Sequence, residues 1–241
     1  MTLSAPSLSM TPPKLLNRYF NSLLCPIQCY VIECKTMFFL NYSTIVDPLL
    51  RDLRTYIPEF SGMKAGDRVL DICCGTGAQV FYYAQKGAIA TGIDLDPNML
   101  KLARKNKRKQ DSSNASFQMA DAQNLPFKDN FFDCASISFA LHEKERTARD
   151  KIISEMKRVV KKDGALIFID FSVPLPESRF IYLIKAIEFI AGRNHFRCFK
   201  DYIEQGGLDV ILKKNQLTEE KRHYLNYLND GLIIIIKTGN P

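Results

Sequence analysis

The residues best suited to chemistry in this chain sit in one short stretch, Arg68–Met99, which reads RVLDICCGTGAQVFYYAQKGAIATGIDLDPNM. Gly75 and Gly77 flank Thr76 and carry no β-carbon, so backbone N–H groups there can approach a ligand closely. Asp71 precedes the turn. Asp94 is the first acidic residue after it, about where a βαβ nucleotide unit sets a carboxylate against a ribose. Two ligand classes compete for such a unit. A dinucleotide site asks for G-x-G-x-x-G, but the third position is Val80. The other pattern is D-x-x-x-G-x-G, met by Asp71, Gly75 and Gly77.

These residues need elements that hold them together. Val69, Leu70 and Ile72 make Arg68–Cys73 a strand for the middle of a parallel sheet. Ala78–Lys86 is helical in pattern, with Gly87 at its end, and Ile89–Ile93 is a second strand. Pro97 fits the first turn of a helix over Pro97–Lys107, and Asp96 fits its cap. Further strands follow at Ala115–Met119, closed by Asp121, at Phe132–Phe139 and at Ala165–Phe171. An amphipathic helix over Glu143–Val160 and a turn at Lys162-Asp163-Gly164 precede the last of these. The alternation predicts an α/β fold with a doubly wound, mostly parallel sheet.

The flanks are less regular. Met1–Pro13, rich in Ser, Thr and Pro, reads as a flexible tail. Lys14–Leu40 has apolar residues at helical spacing, interrupted by Pro26, and Asn41–Ile57 reads as a helix followed by a connector over Pro58–Asp67. After strand 5, two prolines lead the chain off the sheet. Helices are expected over Arg179–Ala191 and Phe199–Leu212, separated by Gly192–Cys198, then a closing hairpin of Lys221–Leu225 and Gly231–Lys237. The expected organisation is a tail at 1–13 and one domain at 14–241. That domain divides into a helical cap (14–60), a ligand-binding core (61–172) and substrate-side helices with the hairpin (173–241).

Three runs occur in order: VLD-x-x-CGTG at 69–77, IDLDPNML at 93–100 and ADAQNLPF at 120–127. Together they resemble the cofactor-binding core of the class I S-adenosylmethionine-dependent methyltransferases, in the ubiquinone/menaquinone-biosynthesis-like branch, over roughly residues 40–172. The resemblance implies a Rossmann-like sheet of seven strands with an antiparallel closing strand, S-adenosyl-L-methionine as cofactor, and methyl transfer as the reaction. It also implies roles. Gly75, Thr76 and Gly77 cradle the amino acid part of the cofactor, and Asp71 orders the glycine loop and the ligand's ammonium, directly or through water. Asp94 accepts from the ribose hydroxyls. Asp121 takes the adenine amine, the N–H of Ala122 a ring nitrogen, and Leu95, Met99 and Leu125 sandwich the ring. Ser138 opens the loop after strand 4, on the same edge, and Tyr42 stands where related enzymes hold an aromatic residue against the cofactor. His142, in that loop, is the candidate general base, since its ordinary pKa suits proton transfer near neutrality. Plainer uses stand beside these: a strand-end aspartate is often a helix cap, and Tyr42 and His142 can simply pack.

The acceptor is left open. The branch's K-P-G-G turn is here Lys161-Lys162-Asp163-Gly164, its longer N-terminal signature is missing before residue 40, and Arg179–Arg197 differs from it. A small-molecule or lipid-like acceptor is expected, a quinone-type one among them. Two other readings compete with it. One is a non-catalytic S-adenosylmethionine-binding regulatory or assembly protein. The other is an NAD-type oxidoreductase, which Val80 and the Asp121-Ala122 pair speak against.

Composition narrows the partners. The chain has 241 residues, 46% hydrophobic and 24% charged, enough for one α/β domain with a substantial core. Its net charge is +7, concentrated at Lys101–Lys109 and Lys157–Lys162. That excess fits a solvated surface or peripheral contact with an anionic membrane. No nucleic-acid partner is expected, because no recognition motif or interleaved aromatics accompany the charge. No apolar run approaches the length of a membrane helix, and no secretory signal is seen, so a cytoplasmic protein, peripheral to the membrane at most, is expected. Seven cysteines fit a reducing compartment. Cys25, Cys29 and Cys34 miss the C-x3-C-x2-C spacing of a radical iron–sulfur site, Cys73 and Cys74 read as small packing residues, and His195 and His223 lack metal-ligand spacing, so no metal is expected. Nothing in the sequence sets the oligomeric state.

Overall fold

The structure is a computed structural model that describes residues 47–177, 180–225 and 232–241. The expected tail, the helical cap as far as residue 46, Tyr42 and the cysteines Cys25, Cys29 and Cys34 lie outside the described residues.

A helical turn at Asp47–Leu49 leads into α1 (Arg51–Ser61). Then come β1 (Arg68–Ile72), α2 (Ala78–Gln85), β2 (Ile89–Asp94), α3 (Pro97–Gln110), β3 (Ala115–Met119) and β4 (Phe132–Ser138). The chain continues with α4 (Arg146–Val159), β5 (Val160–Phe171), α5 (Phe180–Ile190), α6 (Arg193–Glu204) and α7 (Gly207–Lys214), and closes with β6 (Glu219–Leu225) and β7 (Ile233–Gly239). The seven strands form one sheet in the order β3-β2-β1-β4-β5-β7-β6. β1 to β5 pair in parallel, while β7 runs antiparallel to both β5 and β6. The expected α/β fold with its antiparallel closing strand is therefore borne out.

The strand order changes direction at β1, whose neighbours β2 and β4 lead to opposite halves of the sheet. Ligands of open α/β sheets bind at such a switch point, beyond the carboxyl ends of the strands. The sheet is held by a core on each face. Leu70, Ile72, Ile137, Phe168, Ile234 and Ile236 bury into one; Val69, Cys134, Ile167, Ile169, Ile233 and Ile235 bury into the other. The IIII run of β7 is thus split residue by residue between two cores, as the period-two geometry of a strand requires. Asp96 caps α3, its Oδ1 accepting from the Asn98 N–H at 2.8 Å.

Some boundaries differ from expectation. α1 runs through Pro58 to Ser61 instead of yielding to a connector at that residue. It ends at Gly62 (φ 76), a left-handed stop. The helix expected from Glu143 starts only at Arg146. Lys162-Asp163-Gly164 is not a turn between elements but part of β5. The register jumps there from Phe132↔Val160 to Cys134↔Ala165, so the four residues Lys161–Gly164 bulge out of the strand. The stretch 193–198, expected as a connector, is the first half of α6; the break falls at Gly206-Gly207, both at positive φ.

Candidate active site

β1 ends at Ile72, and the chain then passes through Cys73 (φ 57), Gly75 (φ 52) and Gly77 (φ 75). The two glycines serve different ends. A β-carbon on Gly77 would lie 2.5 Å from the Phe117 ring, so this glycine lets the turn pack against β3. A β-carbon on Gly75 would meet nothing within 4 Å. Its backbone faces open space, as an approach to a ligand requires.

Asp94, at the carboxyl end of β2, ties this turn down. Its Oδ2 accepts from the Gly75 N–H at 2.8 Å and its Oδ1 from the Asp96 N–H at 2.9 Å. Each oxygen retains a second lone pair for a further donor. Asp94 thus fastens the glycine turn directly. Asp71 instead lies buried under the turn, its Oδ1 accepting from Ser136 Oγ at 2.8 Å. Burial pushes its carboxyl up to about 7, against the pull of Ser136 and Arg54. Thr76 is held from the other side. Its Oγ1 donates to Asp47 Oδ2 at 2.9 Å, and Asp47 Oδ1 pairs with Arg54 Nη1 at 2.6 Å. The chain just before α1 and α1 itself are thereby fastened to the glycine turn, a contact that sequence spacing did not reveal.

On the far side of the switch, Asp121 is exposed just beyond β3. Its Oδ1 accepts from the Gln123 N–H at 2.9 Å, and its Oδ2 has no partner among the described residues. Leu95 is 65% exposed beside it, an unusual state for a leucine and one that suits a stacking surface. Met99 is half-buried on α3. Leu125 departs from expectation: it is in the core with Ala120 and Ala122, where it cannot also flank a ring. Ser138 Oγ, at the end of β4, is buried without a hydrogen-bond partner. An orphaned hydroxyl at a strand's carboxyl end, an open glycine backbone and a half-free carboxylate together form a donor and acceptor set that fits a polar, zwitterionic nucleoside ligand.

The loop after β4 opens at Phe139 (φ 51) and carries His142, which is only 4% exposed. Its Nδ1 lies 2.6 Å from Asp170 Oδ1, and Asp170 Oδ2 accepts from its backbone N–H at 3.2 Å. Asp170 sits at the carboxyl end of β5 and is itself buried. The ring packs against Phe171 at 4.9 Å and Phe199 at 5.9 Å between centroids. Burial pulls the imidazole down, but the charge and hydrogen bond of Asp170, followed by Glu188 and Glu143, outweigh it and hold His142 above its ordinary value. The neighbouring Glu143 and Lys144 face the glycine turn. Both their charges act on the Cys73 thiol, which burial pushes up to about 12. Cys73 and Cys74 are thus packed thiols, not nucleophiles.

Sequence comparison agrees with this geometry. Residues 70–168 match the methyltransferase domain family. The matched segment runs from β1 into β5, so it contains the glycine turn, Asp94, Asp121 and His142. The ubiquinone/menaquinone biosynthesis C-methyltransferase UbiE of Pseudomonas paraeruginosa is 41% identical over 121 residues, covering 48% of this chain and 46% of that protein. Its counterpart from Yersinia pestis bv. Antiqua is 36% identical over 129 residues, covering 52% and 50%. The chain therefore spans about half the length of the curated relatives it matches. Among solved structures, a SAM-dependent methyltransferase from Aquifex aeolicus superposes with a TM-score of 0.59 at 18% identity, covering 78% of this chain and 89% of that one. Phosphoethanolamine N-methyltransferase 2 of Haemonchus contortus, solved with S-adenosyl-L-methionine, gives 0.60 at 19% identity, covering 77% and 51%. These two carry the fold; the family resemblance read from the three motifs is borne out by the domain match.

Three functional candidates were missed in the sequence. Asp170 was visible only as part of a strand-end run, and Glu188 and His195 lay in the segment that differs from the resembled branch. His195 Nε2 lies 2.5 Å from Glu188 Oε2, and Glu188 Oε2 lies 3.6 Å from His142 Nε2. His223 has no part in this group; its ring lies tilted against Tyr56, 4.8 Å between centroids.

Proposed function

We propose that this protein is an S-adenosylmethionine-dependent methyltransferase acting on a small or lipid-like acceptor. The observation that carries the reading is the bond from the Gly75 N–H to Asp94 Oδ2. It joins the end of β2 to the glycine turn, so that a subsite for an amino acid group and one for a ribose form a single crevice at the switch point. Gly75, Thr76 and Gly77 would hold the methionine part, Asp94 the ribose, and Asp121, Ala122 and Leu95 the adenine, with Met99 beside the ring. Ser138 Oγ offers a further polar contact and Asp71 a buried counter-charge for an ammonium. The cofactor supplies an activated methyl on a positively charged sulfur. What the protein must add is alignment, exclusion of water and a destination for the acceptor's proton. His142 is proposed for that last task, with Asp170 fixing the ring through Nδ1 so that Nε2 presents its lone pair. A buried, oriented imidazole favours catalysis over cofactor binding alone.

The relatives' name supports a carbon acceptor on a quinone-type ring, and the apolar surroundings of His142 are compatible with one. The basic residues of α3 form no salt bridge among the described residues, which supports contact with an anionic surface. No helix among the described residues is long and apolar enough to cross a membrane.

Titration with S-adenosylmethionine tests the cofactor. Binding is expected in the wild type and a loss of at least tenfold in Asp94→Ala, which removes acceptors worth about 1.5–3 kcal/mol each. No binding at millimolar ligand, or undiminished binding by the variant, rejects the site. Turnover to S-adenosylhomocysteine with cell extract as acceptor source tests catalysis. His142→Ala is expected to lower kcat by about 10²–10⁴-fold, and full turnover by the variant would remove the assignment.

A further inference from the structure

Glu188 is the least explained buried group in the molecule. It lies on α5, whose neighbouring Ile187, Phe189 and Ile190 are 42%, 62% and 61% exposed, while Glu188 itself is 6% exposed. The helix turns apolar side chains outward and a carboxylate inward, the reverse of what burial energetics favour unless the carboxylate has a strong partner. Its Oε2 is buried and has no hydrogen bond, although His195 Nε2 lies 2.5 Å away. That contact lacks hydrogen-bond alignment, so the carboxylate oxygen and the imidazole nitrogen are close without satisfying each other.

The outer nitrogens of both imidazoles face carboxylates. His142 Nδ1 is 2.6 Å from Asp170 Oδ1, and His195 Nδ1 is 3.5 Å from Glu143 Oε2. A carboxylate at Nδ1 keeps the proton there and leaves the Nε2 lone pair free. Both Nε2 atoms then converge on the one Glu188 oxygen, and the ligand atoms of His142, Glu188 and His195 lie within 4.8 Å of one another. Metal-binding histidines are characteristically oriented in this way by an outer carboxylate. Among the described residues the group also holds three carboxylates, Asp170, Glu188 and Glu143, against two imidazoles and the ammonium of Lys144, which pairs with Glu143 at 2.5 Å. A divalent cation balances that excess. Phe171, Phe199 and Tyr202 ring His142 and shield it from water.

We infer that His142, Glu188 and His195 bind a divalent transition-metal ion, zinc by the nature of the ligands. Two imidazoles and one carboxylate form the three-ligand set that leaves zinc a fourth position for a water or an acceptor oxygen. Bonds of about 2.0–2.2 Å in a tetrahedron separate ligand atoms by roughly 3.4 Å. The His142–Glu188 spacing of 3.6 Å already meets this, and the half-buried His195 must draw back from Glu188 by about an ångström. Proton acceptance and cation binding use the same lone pair of His142 Nε2, so the two roles exclude each other at any instant.

Metal retention tests the site without methyl donor or acceptor, and its outcome is separate from that of the proposed transfer. The full chain, carrying Cys25→Ser, Cys29→Ser and Cys34→Ser so that those thiolates contribute no zinc, is stripped with chelator and titrated with zinc chloride. Binding near one equivalent and a rise in Tm are expected. Glu188→Gln and His195→Ala should each lose at least a hundredfold in affinity and lose the Tm response, and Asp170→Asn should weaken zinc by about 10–100-fold. Cobalt should give ligand-field absorption without a thiolate charge-transfer band. The inference is overturned if the triple-serine protein binds neither ion, if cobalt reports thiolate ligation, or if zinc affinity survives in Glu188→Gln. Should Glu188→Gln fail to fold, the His195→Ala variant, altered at a partly exposed position, decides in the same way.

Discussion

At the scale of single residues, the carboxylates at the strand ends are set apart by burial. Asp121 is exposed and can meet a ligand freely, whereas Asp71 is sunk beneath the glycine turn. Both were legible as carboxylates on one sheet edge; the raised proton affinity of Asp71 was not, because it depends on what covers that residue. Asp71 titrates near 7 in the folded chain because burial disfavours its charge, against 3.8 for an ordinary aspartate. The native state therefore holds this proton more tightly than the unfolded state. Between about pH 4 and 7 the native chain binds more protons, so stability falls as pH rises through that window and levels off above it. The contribution is on the order of 4 kcal/mol at most. Asp71→Asn is expected to flatten this slope, as read by urea denaturation at pH 5, 6 and 8. An unchanged slope would show that Asp71 does not titrate there.

At the scale of elements, one arginine holds the surroundings of His142 together. Arg149, on α4, is 2% exposed. Its Nε donates to the Leu141 carbonyl, its Nη2 to the Cys198 carbonyl and its Nη1 to Asp201 Oδ2, at 2.9, 2.9 and 3.0 Å. The loop bearing His142 and the helix bearing His195 are thereby fixed to one side chain. Arg149→Met keeps much of the apolar stem but removes three hydrogen bonds, two to carbonyls and one to Asp201, each worth about 0.5–1.5 kcal/mol. The variant is expected to lose roughly 2–4 kcal/mol of stability by chemical denaturation. In the sequence Arg149 looked like one more charge on an amphipathic helix, since its partners lie in other segments. Helix existence was legible from apolar spacing, but the ends were less so. α1 continues through Pro58, and α6 begins at Arg193, because tertiary packing completed what local propensity left undecided.

At the scale of the whole molecule, the sheet separates two cores that share only its backbone. Ile235 packs on one face and Ile236 on the other. Ile235→Val and Ile236→Val should each cost about 0.5–1.5 kcal/mol, and the double variant should lose nearly their sum, because side chains in separate cores share no contacts. A coupling well above 0.5 kcal/mol in denaturation midpoints would contradict two independent cores.

Sequence alone determined the α/β alternation, the glycine turn and the acidic residues at the ends of strands 2 and 3. These are local matters: an apolar run, a missing β-carbon and a charge beside a strand need no distant partner to be recognised. The edge strand β6 and the antiparallel β7 were also visible as a hairpin, since each carries its own strand pattern. Tertiary structure alone decided that Asp94 fastens the turn directly, that Leu125 belongs to the core, and that Asp170, Glu188 and His195 gather around His142. Asp170 is 28 residues from His142 along the chain, and the residues between them carry a helix and a strand. Hydrogen-bond reach is a few ångströms; the parallel pairing of β4 with β5 brings Asp170 within it of His142, and α5 and α6 bring Glu188 and His195 to the same ring.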